Sequence, residues 1–473
     1  MYSRQEQIAS YLRDQIVAGR LANGSRLPST RGLARDLGVS RQTISLAYER
    51  LLIEGLLRSA KGKGTFVTLE PGLIQARSSR PKKQSCAQST VAKRGLRLLD
   101  IPITPMPKMD QGLLTPGVPA LDLFPWGTWN QAGYRVAWQR APNRLDRVSP
   151  CGSPQLRKAI SNYIALSRGV VCEPEQVIVT AGSQNAIDLV SRVTFDPGET
   201  VWVEDPCYVA GRGTLLVNGA NVQPVRVDAE GLVVSQGRRL APAARAAIVT
   251  PSYQYPLGIT MSLRRRHSLL EWAVQQRAWI VENDYDSDFR YDGRSPPTLH
   301  AMSATYGDVV IYLGTFSNSL APGLRLGFLV APSRLVEPIT RARIFSDRQP
   351  PEPLQTQLAA FIETGHLAAH LHKMRDVYRQ RRDAVFGVLK ENSAGQLDPG
   401  EKPPASGLHI TASLPNGEDK HLSEKAKANG IRVPPLSQFY LDRRNTRQGL
   451  IIGFAGTPAE AAKRAAQTLC RLA

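Results

Sequence analysis

At 473 residues the chain is too long for one ordinary domain, and a hydrophobic content of 42% suits globular units with sizeable cores. A formal net charge of +20 is unusual for a small-molecule enzyme and favours a polyanionic partner such as nucleic acid. No apolar run approaches the roughly 18 residues of a membrane-spanning helix, so none is expected, and no membrane partner either.

Residues 1–68 alternate short helical patterns with turn signals. Ile8, Tyr11, Leu12, Ile16 and Val17 recur at helical spacing and predict one apolar face, broken at Asn23-Gly24. Ser29 precedes a short helix carrying Leu33, Ala34 and Leu37, which stops at Gly38. Ser40 is a good cap for the next helix, with Ile44, Ala47, Tyr48 and Leu51 on one face and Gly55 at its end. The segments 56–59 and 65–68 flank Lys61-Gly-Lys-Gly64, the pattern of a β-hairpin with a glycine-rich tip.

Residues 69–105 differ in kind: Arg77-Ser-Ser-Arg-Pro-Lys-Lys83 is basic, polar and aperiodic, and Lys93 and Arg94 continue the charge, as in a flexible linker. From 106 to 473 short β-branched runs at 177–180, 200–203, 246–250, 279–282 and 309–313 alternate with helical patterns. That alternation predicts a largely parallel, helix-covered α/β sheet. Long helical patterning at 352–400, then apolar runs at 408–412 and 450–455, predict a small α+β subdomain. The helix carrying His366, His370, Arg375, Arg379, Arg381 and Arg382 reads as a basic solvated or dimer-facing surface.

Helix–turn–helix followed by a wing is the physical reading of residues 1–68. The helix opening at Arg41 would enter the major groove, where Arg41 donates a bidentate pair to guanine and Gln42 reads adenine. Ser40 and Thr43 would hold phosphates through their hydroxyls and the helix N-terminus, and Lys61, Lys63 and Gly64 would bring a slim cationic tip to a groove. Leu27-Pro-Ser-Thr-Arg31, Gly38-Val-Ser-Arg-Gln-Thr43 and Gly62-Lys-Gly-Thr-Phe-Val67 resemble the winged helix–turn–helix of GntR-type bacterial regulators. The resemblance implies DNA contact at Arg31, Arg41 and Thr43 and at the wing glycines, and Ser29 and Ser40, which open the helices, are counted among the DNA-binding residues.

The larger part resembles a class I aminotransferase of fold type I. The order of the parts is similar to the MocR subgroup of GntR-type regulators. Ser149-Pro-Cys-Gly-Ser-Pro-Gln-Leu-Arg157 fits the segment before the cofactor domain. Val179-Thr-Ala-Gly-Ser-Gln184 leads into a helix whose N–H groups, with Gly182, Ser183 and Gln184, would cradle a phosphate. In Glu204-Asp-Pro-Cys-Tyr208 the resemblance makes Tyr208 the aromatic that stacks on a pyridine ring. Thr250-Pro-Ser-Tyr-Gln-Tyr-Pro-Leu-Gly258, with Tyr255, matches the loop near the cofactor hydroxyl, but reads Pro-Leu-Gly where the family commonly has Pro-Thr-Gly. Tyr285 matches the tyrosine beside the phenolate oxygen, and Arg325 the arginine that clamps the phosphate, with Thr315 and Ser317 on the same anion.

Two departures change what the resemblance implies. In Gly314-Thr-Phe-Ser-Asn318, Asn318 stands where the family has the lysine that forms a Schiff base with pyridoxal phosphate, and no lysine occurs from 159 to 372. An amide nitrogen is not nucleophilic. In Glu282-Asn-Asp-Tyr285, Asn283 stands where the family has the aspartate that pairs with the pyridine nitrogen, with Asp284 as the alternative one position on.

The five cysteines, Cys86, Cys151, Cys172, Cys207 and Cys470, form no metal-like cluster and read as reduced thiols of a cytoplasmic protein. The opening Tyr2-Ser-Arg-Gln-Glu-Gln7 lacks the apolar stretch of a signal peptide. The expectation is a homodimeric DNA-binding regulator whose degenerate aminotransferase-like domain senses a small molecule without catalysis. Three rivals stay open: an active transaminase fused to a DNA-binding domain, a regulator holding pyridoxal phosphate non-covalently, and a scaffold that only dimerises.

Overall fold

The computed structural model describes residues 3–60, 62–68, 91–92, 95–96, 98–100, 112–138, 149–293, 295–348, 350–392 and 396–473. Lys61 and most of the expected linker lie outside these residues. The chain divides into two compact units, Met1–Val91 and Ala92–Ala473.

The first unit packs three helices, α1 (Arg4–Val17), α2 (Thr30–Asp36) and α3 (Arg41–Ile53), against a hairpin of β1 (Leu57–Ala60) and β2 (Gly64–Val67). Ser3, Ser29 and Ser40 open the three helices by accepting from a backbone N–H in the first turn, which satisfies a donor the helix leaves free. Leu12, Ile16, Leu27, Ala34, Ile44, Tyr48, Leu51, Leu57 and Val67 form one core. The expected face of α1 needs correcting. Ile8, Leu12 and Ile16, four apart, point inward, whereas Tyr11 and Val17 are 64% and 48% exposed on the flanks. The apolar stripe is narrower because a small three-helix unit covers only one ridge of the helix.

The second unit is built on an eight-stranded sheet: β3 (Val177–Thr180), β4 (Thr200–Asp205), β5 (Asn221–Asp228), β6 (Gly231–Leu232), β7 (Ala246–Val249), β8 (Trp279–Asp284), β9 (Val310–Thr315) and β10 (Gly327–Val330). The spatial order is β3-β10-β9-β8-β7-β4-β5-β6. Strands β9, β8, β7, β4 and β5 run parallel, as the alternating sequence predicts. The sheet is nevertheless mixed, because β10 lies antiparallel between β3 and β9. Residues 316–326 are too few for a helical crossover, so the chain must turn back on itself. Two further strands, β11 (His409–Ser413) and β12 (Gly449–Gly453), pair antiparallel beside the long helix His366–Asn392 and form the smaller α+β part.

Three arginines of that long helix depart from the solvated basic surface its sequence suggests, while Arg379 stays exposed. Arg381 and Arg382 are buried; Arg381 donates to Asp122 at 3.1 Å, and Arg382 donates to Asp292 at 3.1 Å and to the Pro404 carbonyl at 2.8 Å. Arg375 donates to the Asp288 carbonyl at 2.7 Å. Their long stems pack inward, and the charged heads find acceptors there. The carboxyl ends of β3, β4, β8 and β9 bring Gly182, Tyr208, Tyr285 and Asn318 to one edge of the sheet, where open α/β folds place their ligands.

Candidate functional site

On the first unit, Arg31, Arg41 and Gln42 are exposed at the starts of α2 and α3, and among the described residues none is held in an ion pair. The two serines are structural first. Ser29 accepts from the Gly32 N–H at 3.1 Å, and Ser40 accepts from the Thr43 N–H at 3.1 Å. The Ser40 and Thr43 hydroxyls also bond each other at 2.8 Å, which leaves one O–H of the pair for a phosphate rather than two. In the hairpin, Gly64 has φ +112°, and a β-carbon there would come within 2.8 Å of Arg26 Nε, so the wing needs glycine at that point. Lys63 is exposed beside it.

On the second unit, β3 ends in Ala181 and Gly182, and Gly182 (φ +93°) opens the helix Ser183–Thr194. The N–H groups of Ser183, Gln184 and Asn185 precede the first intrahelical bond, from Ala186 to the Gly182 carbonyl. Arg325, itself in the left-handed region at φ +50°, lays its guanidinium on Gly182: a β-carbon at 182 would lie 3.3 Å from Nη1. The Arg325 guanidinium has no hydrogen-bond or ion-pair partner among the described residues, and the residue is open to solvent. Free helical N–H groups and an unpaired guanidinium around a glycine make an anion cradle. Thr315 donates its hydroxyl to Ser317 Oγ at 3.1 Å and accepts from the Ser317 N–H at 3.2 Å, which again leaves a single O–H, on Ser317.

Aromatic walls lie next to the cradle. Burial pushes the Tyr208 phenol up, while the nearby Arg325 charge pulls it down, so the two share one site. Tyr255 meets Tyr208 edge-on at 6.3 Å between centroids and Tyr285 edge-on at 6.0 Å. The Tyr285 hydroxyl is buried without a hydrogen-bond partner, and so is the Asn283 side-chain oxygen. Orphaned buried polar atoms are rare and call for a ligand or solvent.

Positions 283 and 284 have different surroundings. Side chains alternate along a strand, and Asp284 faces away from Asn283. Asp284 accepts from Arg168 at 2.7 Å and from the Tyr312 hydroxyl at 2.6 Å, with both members of the ion pair buried. Asp284 Oδ2 is thus committed to the core, while Asp284 Oδ1 and Asn283 Oδ1 are both buried without a hydrogen-bond partner. Asn318 donates its amide nitrogen to Asp286 and, at 3.4 Å, to the Tyr285 carbonyl.

Sequence reasoning assigned no role to Asp286 or Glu204. Asp286 is fully enclosed, and burial pushes its carboxyl up to about 7 against the bond from Asn318. Glu204 accepts from Thr250 through Oγ1 (2.5 Å) and N (3.1 Å) and from Gln254, and burial also takes it to about 7. Their signal was faint: a carboxylate inside an otherwise apolar strand, and another just past the end of one.

A winged helix and a mixed, helix-covered α/β sheet define a regulator-type module joined to an aminotransferase-type fold. Residues 4–67 match the family described as bacterial regulatory proteins, gntR family, and residues 129–469 match aminotransferase class I and II. The chain is 36% identical to the probable rhizopine catabolism regulatory protein MocR of Rhizobium meliloti, over 95% of this chain and 90% of that one. It is 32% identical to the HTH-type transcriptional regulator TauR of Rhodobacter capsulatus, over 94% and 91%. Its second unit resembles LysN, the alpha-aminoadipate aminotransferase of Thermus thermophilus complexed with N-(5'-phosphopyridoxyl)-L-leucine. That likeness has a TM-score of 0.69 at 25% identity and covers 80% of this chain and 94% of the other. The chain belongs to the MocR-type regulators, a gntR-family winged helix followed by an aminotransferase class I and II domain.

Proposed function

We propose that this protein is a DNA-binding transcription regulator whose aminotransferase-like domain works as a non-catalytic ligand sensor and dimerisation module. The observation that carries the reading is Asn318: it stands in the pocket with its amide nitrogen bonded to Asp286, where a Schiff-base enzyme would need an amine. Around it the residues fit a phosphorylated pyridine. Arg325 and the N–H groups of Ser183 and Gln184 would take the phosphate, Tyr208 would flank the ring, Tyr285 would donate to a ring oxygen, and Asn283 would face the ring nitrogen. Such a group, when bound in an aminotransferase, supplies an electron sink for carbanions. Here Asn283 does not fix the charge of the ring nitrogen, and Asn318 neither links the group nor moves a proton, so binding is favoured without turnover.

The domain limits 1–68, 69–105 and 106–473 belong to the same reading. The winged helix reads an operator, and two copies of the chain, paired through their larger domains, present two recognition helices to two half-sites. A ligand then shifts regulation only as far as it binds one arrangement of the pair better than another. The test combines two measurements on the full chain. Borohydride reduction after incubation with pyridoxal phosphate, followed by peptide mapping, is expected to give no adduct within 106–473. Titration of duplex operator DNA, with sedimentation, is expected to give a dimer that binds specifically. A trapped adduct with an amino-acid half-reaction would replace the sensor by an active transaminase.

A further inference from the structure

The floor of the pocket presents acceptors where an enzyme presents an amine. Asn318 commits Nδ2 to two acceptors, the Asp286 carboxylate and the Tyr285 carbonyl, which fixes the orientation of the amide. Its Oδ1 is therefore turned the other way, and among the described residues nothing donates to it. Asn318 is only half-buried, so that oxygen is within reach of a ligand. Asp286 stands behind Asn318 with no cation against it; its partners are the Asn318 amide and the Leu408 N–H. An aldehyde offers this floor only another acceptor and finds no nucleophile. A primary ammonium offers three donors and a positive charge next to a buried carboxylate.

We infer that the pocket selects a phosphorylated pyridine bearing a primary aminomethyl group over the corresponding aldehyde, through Asn318 Oδ1 held in place by Asp286. This inference rests on the reading of the domain as a phosphate-ligand sensor. Asn318 is the specificity residue, and Asp286 is a positioning residue that acts through it.

The test is calorimetric titration of the full-length protein with pyridoxamine 5'-phosphate, pyridoxal 5'-phosphate and inorganic phosphate at one pH near 8. Pyridoxamine phosphate is expected to bind at least tenfold more tightly than pyridoxal phosphate, with inorganic phosphate weaker and competing with both. In Asn318→Leu the preference is expected to fall below threefold while competition by inorganic phosphate is unchanged; thermal unfolding of the variant checks that it folds. Equal affinities, or tighter aldehyde binding, in the unaltered protein would overturn the inference and leave the sensor reading standing. No binding of any of the three would overturn both. A preference that persists in a folded Asn318→Leu protein would remove Asn318 from the role and overturn the inference as stated.

Discussion

Arg325 and Gly182 touch: the guanidinium lies where a β-carbon on residue 182 would come within 3.3 Å of it. The contact joins the left-handed turn before β10 to the start of the helix after β3, and in the proposed reading the two loops form one anion site. Arg325→Ala is expected to weaken binding of a phosphorylated pyridine by about 1.5–3 kcal/mol, the worth of hydrogen bonds to a charged group. Gly182→Ala is expected to do comparable damage, since φ +93° disfavours alanine and the methyl would crowd the guanidinium. Calorimetry on both variants checks this; unaltered affinity in Arg325→Ala would move the anion site elsewhere.

Asn318→Lys supplies the missing amine beside the Asp286 carboxylate. The expected outcome is a borohydride-trapped adduct with pyridoxal phosphate, mapped to residue 318, that the unaltered protein does not give. Transaminase turnover is expected to stay low, because Asn283 still leaves the ring nitrogen without a carboxylate partner. Absence of any adduct in a folded variant would show a pocket reshaped beyond this one residue.

Burial of Asp286 makes stability depend on pH. Its carboxyl, raised to about 7, binds a proton in the folded state that the unfolded chain releases near the usual carboxylate value. The neutral form is favoured on folding. The stabilisation is complete at pH below about 4, lost progressively as pH rises toward about 7, and flat above. Asp286→Asn removes the ionisable group, so its stability relative to the parent is expected to rise by up to about 1.4 kcal/mol per pH unit across that window. Denaturant unfolding at pH 5, 6, 7 and 8 measures it, and a difference independent of pH would show that Asp286 does not titrate there.

Asp284→Ala is expected to destabilise the larger unit by about 3–5 kcal/mol, because it leaves the buried Arg168 without its counter-ion. Urea unfolding checks the magnitude. Asn283→Ala, on the opposite face of the same strand, is expected to cost far less stability, since its side-chain oxygen has no partner to lose. Similar losses in the two variants would contradict the alternation.

Arg41→Ala is expected to weaken specific operator binding by roughly 1–3 kcal/mol and to relax preference at one guanine, whereas Lys63→Ala lowers affinity across sequences alike. Fluorescence anisotropy with the operator and with scrambled DNA separates the two. Unchanged specificity in Arg41→Ala would take that residue out of base reading.

The amino-acid sequence by itself determined the winged helix almost completely. Its signals are local: serine caps at Ser29 and Ser40, glycines at the turns, and a core stripe within single helices, which for α1 included two residues, Tyr11 and Val17, that lie exposed. In the larger part it determined the five strands named in advance and the residue type at 318. What it left undecided were relations between distant segments. The antiparallel placement of β10 follows from a connection too short to cross the sheet. The inward turn of Arg381 and Arg382 depends on acceptors at 122, 292 and 404 that only the fold brings near. The roles of Asn283 and Asp284 were ambiguous by one position along the chain, and tertiary structure gives the two different surroundings: Arg168 and Tyr312 claim Asp284 Oδ2 on one side of β8, while alternation along the strand turns Asn283 to the other.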